Sequence, residues 1–249
     1  MSGGGLVALS IAEKYLNSGI EPIELLYQIV MSTDDAHTAA YRSLVRINSL
    51  ELGVLMPEQY ADIAERNALC MELFYWNFSV FCETLDREQF KNKNAQWASL
   101  HVPARALTKT DLPVKLEKMM NEKGFTHPGN ICLEFSDHIL FEDLNPHREK
   151  LNRLREMGFL IGMSGFGSEY CPLLKMAEFA PDYVVADEFI MRNYLEDTVG
   201  VISPALEAAS ACGAKIIVTG ARHQMLPALA RAGFWGAVGK VSGALKKKI

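Results

Sequence analysis

Residues 154–190 constrain the fold of this 249-residue chain more than any other stretch. An amphipathic helical pattern closes at Gly158, and the apolar run Phe159 to Met163 reads as a buried parallel strand. A glycine-broken turn follows, then a second helical pattern that leads to Pro181-Asp182-Tyr183-Val184-Val185-Ala186-Asp187-Glu188-Phe189-Ile190. Such a βα unit belongs to an α/β fold, where the loop after the strand opens at the carboxyl end of the sheet and carries the chemistry. This loop offers Ser164, Gly165, Phe166 and Gly167, with no carboxylate, histidine or lysine before Glu169. It is placed like an active-site loop and has almost no reactive groups.

The rest of the chain repeats the alternation. Ile23 to Met31 and Thr38 to Ile47 read as a hairpin around Ser32-Thr33-Asp34-Asp35. Helices are expected from Pro57 to about Asn67 and from Met71 to Leu85, then a strand from Trp97 to Val102. A helix over Leu112 to Lys123, a strand over Ile131 to Phe135 and a helix over Pro146 to Met157 precede the stretch described above. After it come a helix from Cys171-Pro172 to Phe179, a strand Tyr183 to Ala186, a helix Ile202 to Cys212 and a strand Ile216 to Thr219. His223 to Ala232 reads as the last helix and Gly236 to Val241 as the final strand. The predicted class is α/β, a modified TIM (β/α) barrel with an antiparallel strand supplied by the N-terminal hairpin. Residues 1–20 are expected to form a linker or helix, with apolar residues at helical spacing from Leu6 to Asn17, and residues 21–249 the barrel domain.

Composition narrows the function. A net charge of −5 argues against non-specific nucleic-acid binding. The five cysteines form no Cys-x-x-Cys pair, so neither a zinc motif nor a disulfide framework is indicated, and a cytoplasmic location is expected. No apolar run reaches the ~20 residues of a membrane span. Lys246 to Lys248 reads as a solvated tail.

Against this layout the chain resembles the EAL domain, the bacterial phosphodiesterase barrel that hydrolyses cyclic di-GMP, over Ile23 to Lys240. Tyr27-Gln28-Ile29 is similar to the family's Tyr-Gln-Pro-Ile without the proline, and Tyr41-Arg42-Ser43-Leu44-Val45-Arg46 occupies the signature Glu-Ala-Leu-x-Arg segment. Gly53 to Leu69, with Pro57 and Glu65, matches the helix that follows. Leu133-Glu134-Phe135-Ser136-Asp137 resembles Leu-Glu-Ile-Thr-Glu, while Phe166-Gly167 and Tyr170 sit in the Asp-Asp-Phe-Gly-x-Gly-Tyr stretch. Asp187-Glu188-Phe189-Ile190 resembles the end of Lys-Ile-Asp-x-x-Phe-Ile, and Gly220 and Gly233 fit the last two units.

The resemblance implies a site of two divalent metals held by carboxylates, and here the matching positions depart from it. Arg42 stands for the signature glutamate, His101 for an asparagine and Asp137 for the Thr-Glu glutamate. Ser164 and Gly165 replace the paired aspartates, and Val185 replaces a lysine that assists the attacking water. Thr219-Gly220-Ala221-Arg222 replaces Glu-Gly-Val-Glu, and Val238 replaces a glutamine. Two hard cations need several carboxylate oxygens. A guanidinium about 4 Å from a divalent ion meets a gross repulsion of about 8 kcal/mol at an effective dielectric of about 20, most of which a flexible side chain escapes by turning away. No metal, cofactor or hydrolytic activity is therefore expected.

The surviving polar residues have more than one reading. Asp187, at a strand end, is a helix cap or a ligand, and capping is favoured. His101 with Asp137 and Asp187 is either a single-metal set or, as favoured, ordinary hydrogen-bonding residues. Arg42 and Arg46 share one strand face, where they either grip an anion, with Leu44 between them and Gln28 reading a base edge, or pair with local carboxylates. Gln28, Leu44, Arg46, His101, Asp137 and Asp187 are thus the candidate nucleotide-binding residues. The resemblance implies a catalytically inactive regulator acting through a protein partner, or a cyclic di-GMP receptor that does not cut its ligand. A homodimer also fits the family.

Overall fold

The computed structural model describes residues 17–18, 21–66, 69–88, 94–136, 139–140, 142–167, 173–194 and 202–249. Strand β1 (Ile23–Ser32) and strand β2 (Thr38–Ser49) pair antiparallel from Ile23 opposite Ile47 to Met31 opposite Thr38. A turn at residues 33–35 reverses the chain, so β1 must oppose β2 in direction. Both are long for strands because they reach past the barrel rim, and β3 (Gly53–Leu55) pairs with the far end of β2.

The remaining strands are β4 (Ala98–Val102), β5 (Ile131–Ser136), β6 (Leu160–Phe166), β7 (Tyr183–Ala186), β8 (Lys215–Ala221) and β9 (Gly236–Gly239). They complete a ring in the order β1-β9-β8-β7-β6-β5-β4-β2, closed by the β1–β2 pairing. The ring has eight strands, with β1 antiparallel to both neighbours and every other adjacent pair parallel. This is the expected modified barrel. Parallel neighbours need crossovers, and these are α1 (Pro57–Arg66), α2 (Leu69–Glu88), α3 (Ala104–Lys109), α4 (Leu112–Lys123), α5 (Arg148–Glu156), α6 (Leu173–Phe179), α7 (Glu188–Tyr194), α8 (Ile202–Ala211) and α9 (Leu226–Arg231).

Strand alternation sorts the core into two shells. Val30, Ala40, Trp97, Cys132, Tyr183, Val185, Ile217 and Val238 fill the barrel lumen. Their chain neighbours Ala98, Ile131, Leu133, Val184, Ile216, Val218 and Ala237 face the helices. Trp97, Tyr183 and Trp235 pack ring on ring at 4.5–5.9 Å, and the Lys215 ammonium lies 5.3 Å from the Trp235 ring centroid. The lumen is therefore packed apolar, except toward the carboxyl ends of β2, β4 and β5.

Several details differ from the sequence reading. β6 does not stop at Met163 but runs to Phe166, because Gly165 at φ 85° lets the ladder to β7 slip by a residue between Ser164 and Phe166. Three short elements, β3, α3 and α7, carry too little periodicity to be read from sequence. Lys246 to Lys248 are exposed, as expected, but do not form a free tail: Tyr27 N donates to Lys246 O at 2.7 Å and Lys246 N to Tyr27 O at 2.8 Å, so Lys246 joins the open edge of β1. The helix expected over Leu6 to Asn17 lies outside the described residues apart from Asn17, and Asp137, Tyr170 and Cys171 lie outside them too. Cys70, Cys82, Cys132 and Cys212 are free thiols. Among the described residues no helix is long and apolar enough to cross a membrane.

Candidate functional site

The polar centre of the barrel forms where three strands carry lumen-facing polar residues at matching heights. Arg42 of β2 stands beside Ser99 of β4, and His101 of β4 beside Glu134 of β5. Arg42 grips Glu134 with two parallel donations, Nε to Oε2 at 3.1 Å and Nη2 to Oε1. Ser99 Oγ donates to the same Oε2 at 2.9 Å. Glu134 keeps 7% of its side-chain surface and Arg42 16%, so this is a buried, bidentate ion pair with a third donor. Burial works to raise the Glu134 pKa, but the charge and hydrogen bonds of Arg42, with Ser99, outweigh it and hold the carboxyl below its usual range. Burial likewise disfavours the Arg42 charge, and Glu134 more than restores it.

Glu134 and Ser99 were missed by the sequence reading. The signal was there for Glu134: a carboxylate in the middle of the apolar run Ile131 to Phe135 must be paired once the strand is buried. For Ser99 nothing in the sequence separates a partner from an ordinary strand serine.

Above the pair opens a cavity of about 380 Å³, lined on the lumen side by Gln28, Arg42, Leu44, His101, Glu134, Ser136 and Ser164. His101 at its rim is exposed, and its Nε2 lies 3.0 Å from Oε1 of Glu65, which α1 brings across. Ser164 Oγ is 3.4 Å from the Phe135 carbonyl oxygen. Gln28 sits opposite Arg42 across the hairpin.

The other candidates lie elsewhere. Arg46 shares a strand face with Arg42, but four residues of strand put them roughly 13 Å apart. Its guanidinium pairs with Glu24 directly across the hairpin, Nε to Oε2 at 2.9 Å with a second donation from Nη2. Asn48 Nδ2 donates to Glu24 Oε2 at 2.7 Å, and Lys247 Nζ lies 2.6 Å from Glu24 Oε1. Lys247, Asn48 and Arg46 together pull the Glu24 pKa down from 4.5 to about 2. Asp187 caps α7, its Oδ1 accepting from Phe189 N at 2.8 Å. Val185 and Val238 belong to the apolar lumen, Gly165 to the β6 bulge, and Thr219 Oγ1 donates to Ala186 O at 2.9 Å. Arg222 is exposed just past the end of β8, and Asp137 is outside the described residues. Among the described residues no three His, Cys, Asp or Glu side chains gather as a metal site.

An eight-stranded barrel with a polar cavity at the carboxyl ends of its strands defines a class whose binding chemistry sits at that mouth. Residues 18–240 match the model of the EAL domain family, and the chain belongs to that family. It is 26% identical over 183 residues to an uncharacterized signaling protein of Caulobacter vibrioides, covering 72% of this chain and 22% of that one. It is also 26% identical over 204 residues to the cyclic di-GMP phosphodiesterase RocR of Pseudomonas aeruginosa, covering 79% of this chain and 50% of RocR. The chain thus spans half or less of these relatives' length. Among solved structures, the PaMucR phosphodiesterase in its c-di-GMP complex superposes with a TM-score of 0.80 at 17% identity, covering 96% of each chain. The EAL domain of FimX from Pseudomonas aeruginosa bound to c-di-GMP superposes at 0.77 and 15%, again over 96% of each. At these identities the superpositions speak for the fold alone.

Proposed function

We propose that this EAL domain does not hydrolyse cyclic di-GMP and serves as a regulatory module that acts on a protein partner. The observation that carries this reading is the Arg42–Glu134 pair, since the buried carboxylate nearest the mouth is already neutralised by a guanidinium. Around it stand Ser99, Ser164 and His101, the last paired with Glu65, while Val185 and Val238 supply no donor atom, and this set does not suit two hard divalent ions, which require several free carboxylate oxygens. The metals that the family's chemistry implies do not fit these residues. Val185 cannot position or deprotonate a water. An exposed apolar groove of Ile23, Ile47, Ile63, Leu73 and Trp76, with Ile63 71% exposed, supports the protein-binding half of the reading.

The second reading, a cyclic di-GMP receptor that does not cut its ligand, is favoured by Gln28, Leu44 and Arg42 on the cavity wall. It is weakened by Arg46, which is committed to Glu24. Incubation of the purified chain with cyclic di-GMP and manganese, followed by chromatography, is expected to return the intact dinucleotide. Metal-dependent linear product would overturn the proposal. Calorimetry with the same dinucleotide separates the two readings: micromolar binding selects the receptor, and silence selects the protein-binding module.

A further inference from the structure

The exposed apolar groove is framed by the end of the hairpin away from its turn and by the α1–α2 pair. Ile23 of β1 and Ile47 of β2 lie opposite each other in the ladder, and Ile63 of α1 with Leu73 and Trp76 of α2 completes the lining. Tyr60 OH donates to the Val45 carbonyl oxygen at 2.8 Å, which fixes α1 to β2 and so one wall to the other. Ile63 is 71% and Trp76 40% exposed, and among the described residues Glu72 is the only charged group in the lining. A contiguous apolar surface with so little charge marks a contact site. The chain carries a cover for it close by. Asn48 N donates to the Pro22 carbonyl oxygen at 2.8 Å and Asn48 Nδ2 to the Glu21 carbonyl oxygen at 2.6 Å, so the backbone entering β1 is pinned to β2 immediately before Ile23. Residues 6–16 lie outside the described residues and lead to this point: Leu16 is five residues from Glu21, a reach of at most about 18 Å. In that sequence, helical spacing sets Leu9, Ile11, Ala12, Tyr15 and Leu16 on one side and Ser10, Glu13 and Lys14 on the other. Eleven residues are too few to hold a helix in water without a surface to pack on.

We infer that residues 6–16 dock in this groove with their apolar stripe against Ile63, Leu73 and Trp76. An uncovered groove and a stripe that needs burying are joined by a short tether, and the tether presents the stripe at millimolar effective concentration, so an outside segment of equal intrinsic affinity loses to it. A protein partner that uses the groove must first displace the stripe, which makes residues 6–16 an autoinhibitory arm. The docking itself stands apart from the functional reading above, whereas the displacement by a partner rests on it.

In the unmodified chain, nuclear Overhauser contacts are expected from the Leu9 and Leu16 methyls to the Ile63 methyls and the Trp76 ring, and they should persist on dilution. A peptide of residues 4–18 supplies a second measurement. Calorimetry should show it binding at least ~10-fold more tightly to the chain carrying Leu9→Asp and Leu16→Asp than to the parent, because only there does the tethered copy leave the groove. Adding Ile63→Ser and Trp76→Ser to that variant should abolish the binding. Absent methyl contacts, contacts to another face, contacts found only between differently labelled copies, or equal affinity of the peptide for parent and variant would overturn the assignment. If the variant does not fold, the contacts in the parent decide the matter. Hydrolysis of cyclic di-GMP would overturn the functional reading alone and leave the docking standing.

Discussion

Arg42 is the residue on which the chemistry of the mouth turns. Removing it alone strands a buried carboxylate, so Arg42→Ala should cost about 3–5 kcal/mol in urea unfolding, whereas Arg42→Met with Glu134→Leu should recover most of that loss. Arg42→Glu makes a sharper case. It sets two carboxylates face to face in a site with 7% of the Glu134 side chain exposed, so the variant should melt lower than the parent and regain stability when manganese is added. The parent should show no such metal-dependent rise. Acid acts on the same pair: the Glu134 pKa is depressed in the folded chain, so its contribution is complete above the unfolded value of 4.5 and is lost as pH falls through the lower folded value. Arg42 stood out in the sequence because it fills a position where the family resemblance implies a carboxylate. Glu134, its partner 92 residues on, did not, since pairing across strands depends on register that only the closed barrel sets.

At the scale of elements, the hairpin and the terminal segment form one unit. Lys247, Asn48 and Arg46 all converge on Glu24, which ties the far end of β2 and residues 246–247 to β1. With its pKa lowered from 4.5 to about 2, Glu24 stabilises this unit fully above pH 4.5 and progressively less toward pH 2. Glu24→Gln should flatten the fall in melting temperature over that interval and speed amide exchange at Tyr27 and Lys246 at neutral pH. Gly239, at the end of β9, offers a second check. Its φ of 131° and the Ala221 nitrogen 2.7 Å from where a Cβ would sit leave no room for any side chain, so Gly239→Ala should cost at least ~2 kcal/mol of stability in denaturant titration. Most helices and strands were legible from periodicity, including Leu112–Lys123 and Tyr183–Ala186 to the residue. The C-terminal lysines were not, because composition marks them as soluble and says nothing of a backbone edge waiting for partners.

The whole molecule could be foreseen as a barrel because βα alternation leaves few other ways to bury strands on both faces. The short β2–β4 ladder could not, since only the closed ring decides that Tyr41 and Arg42 alone on β2 meet Ala98 and Ser99. Surface composition at this scale makes a further prediction: replacing Ile63 and Trp76, 71% and 40% exposed, by serine should leave the chain folded and cost no more than about 3 kcal/mol of unfolding free energy, nearly all of it from the covered part of Trp76. The same double substitution should abolish capture of a regulatory partner in a pull-down.

The closure of the ring is uneven. β1 meets β2 along nearly its full length but meets β9 only at Met31 opposite Ala237 and Ser32 opposite Gly236. β2 is held to β4 as lightly, at Tyr41 opposite Ala98 and Arg42 opposite Ser99, so the hairpin is buttoned to the rest of the ring by two pairs on either side. A tug on it would lift the hairpin as one piece, letting the lining of the tube breathe while the parallel staves β4 to β9 stay clasped.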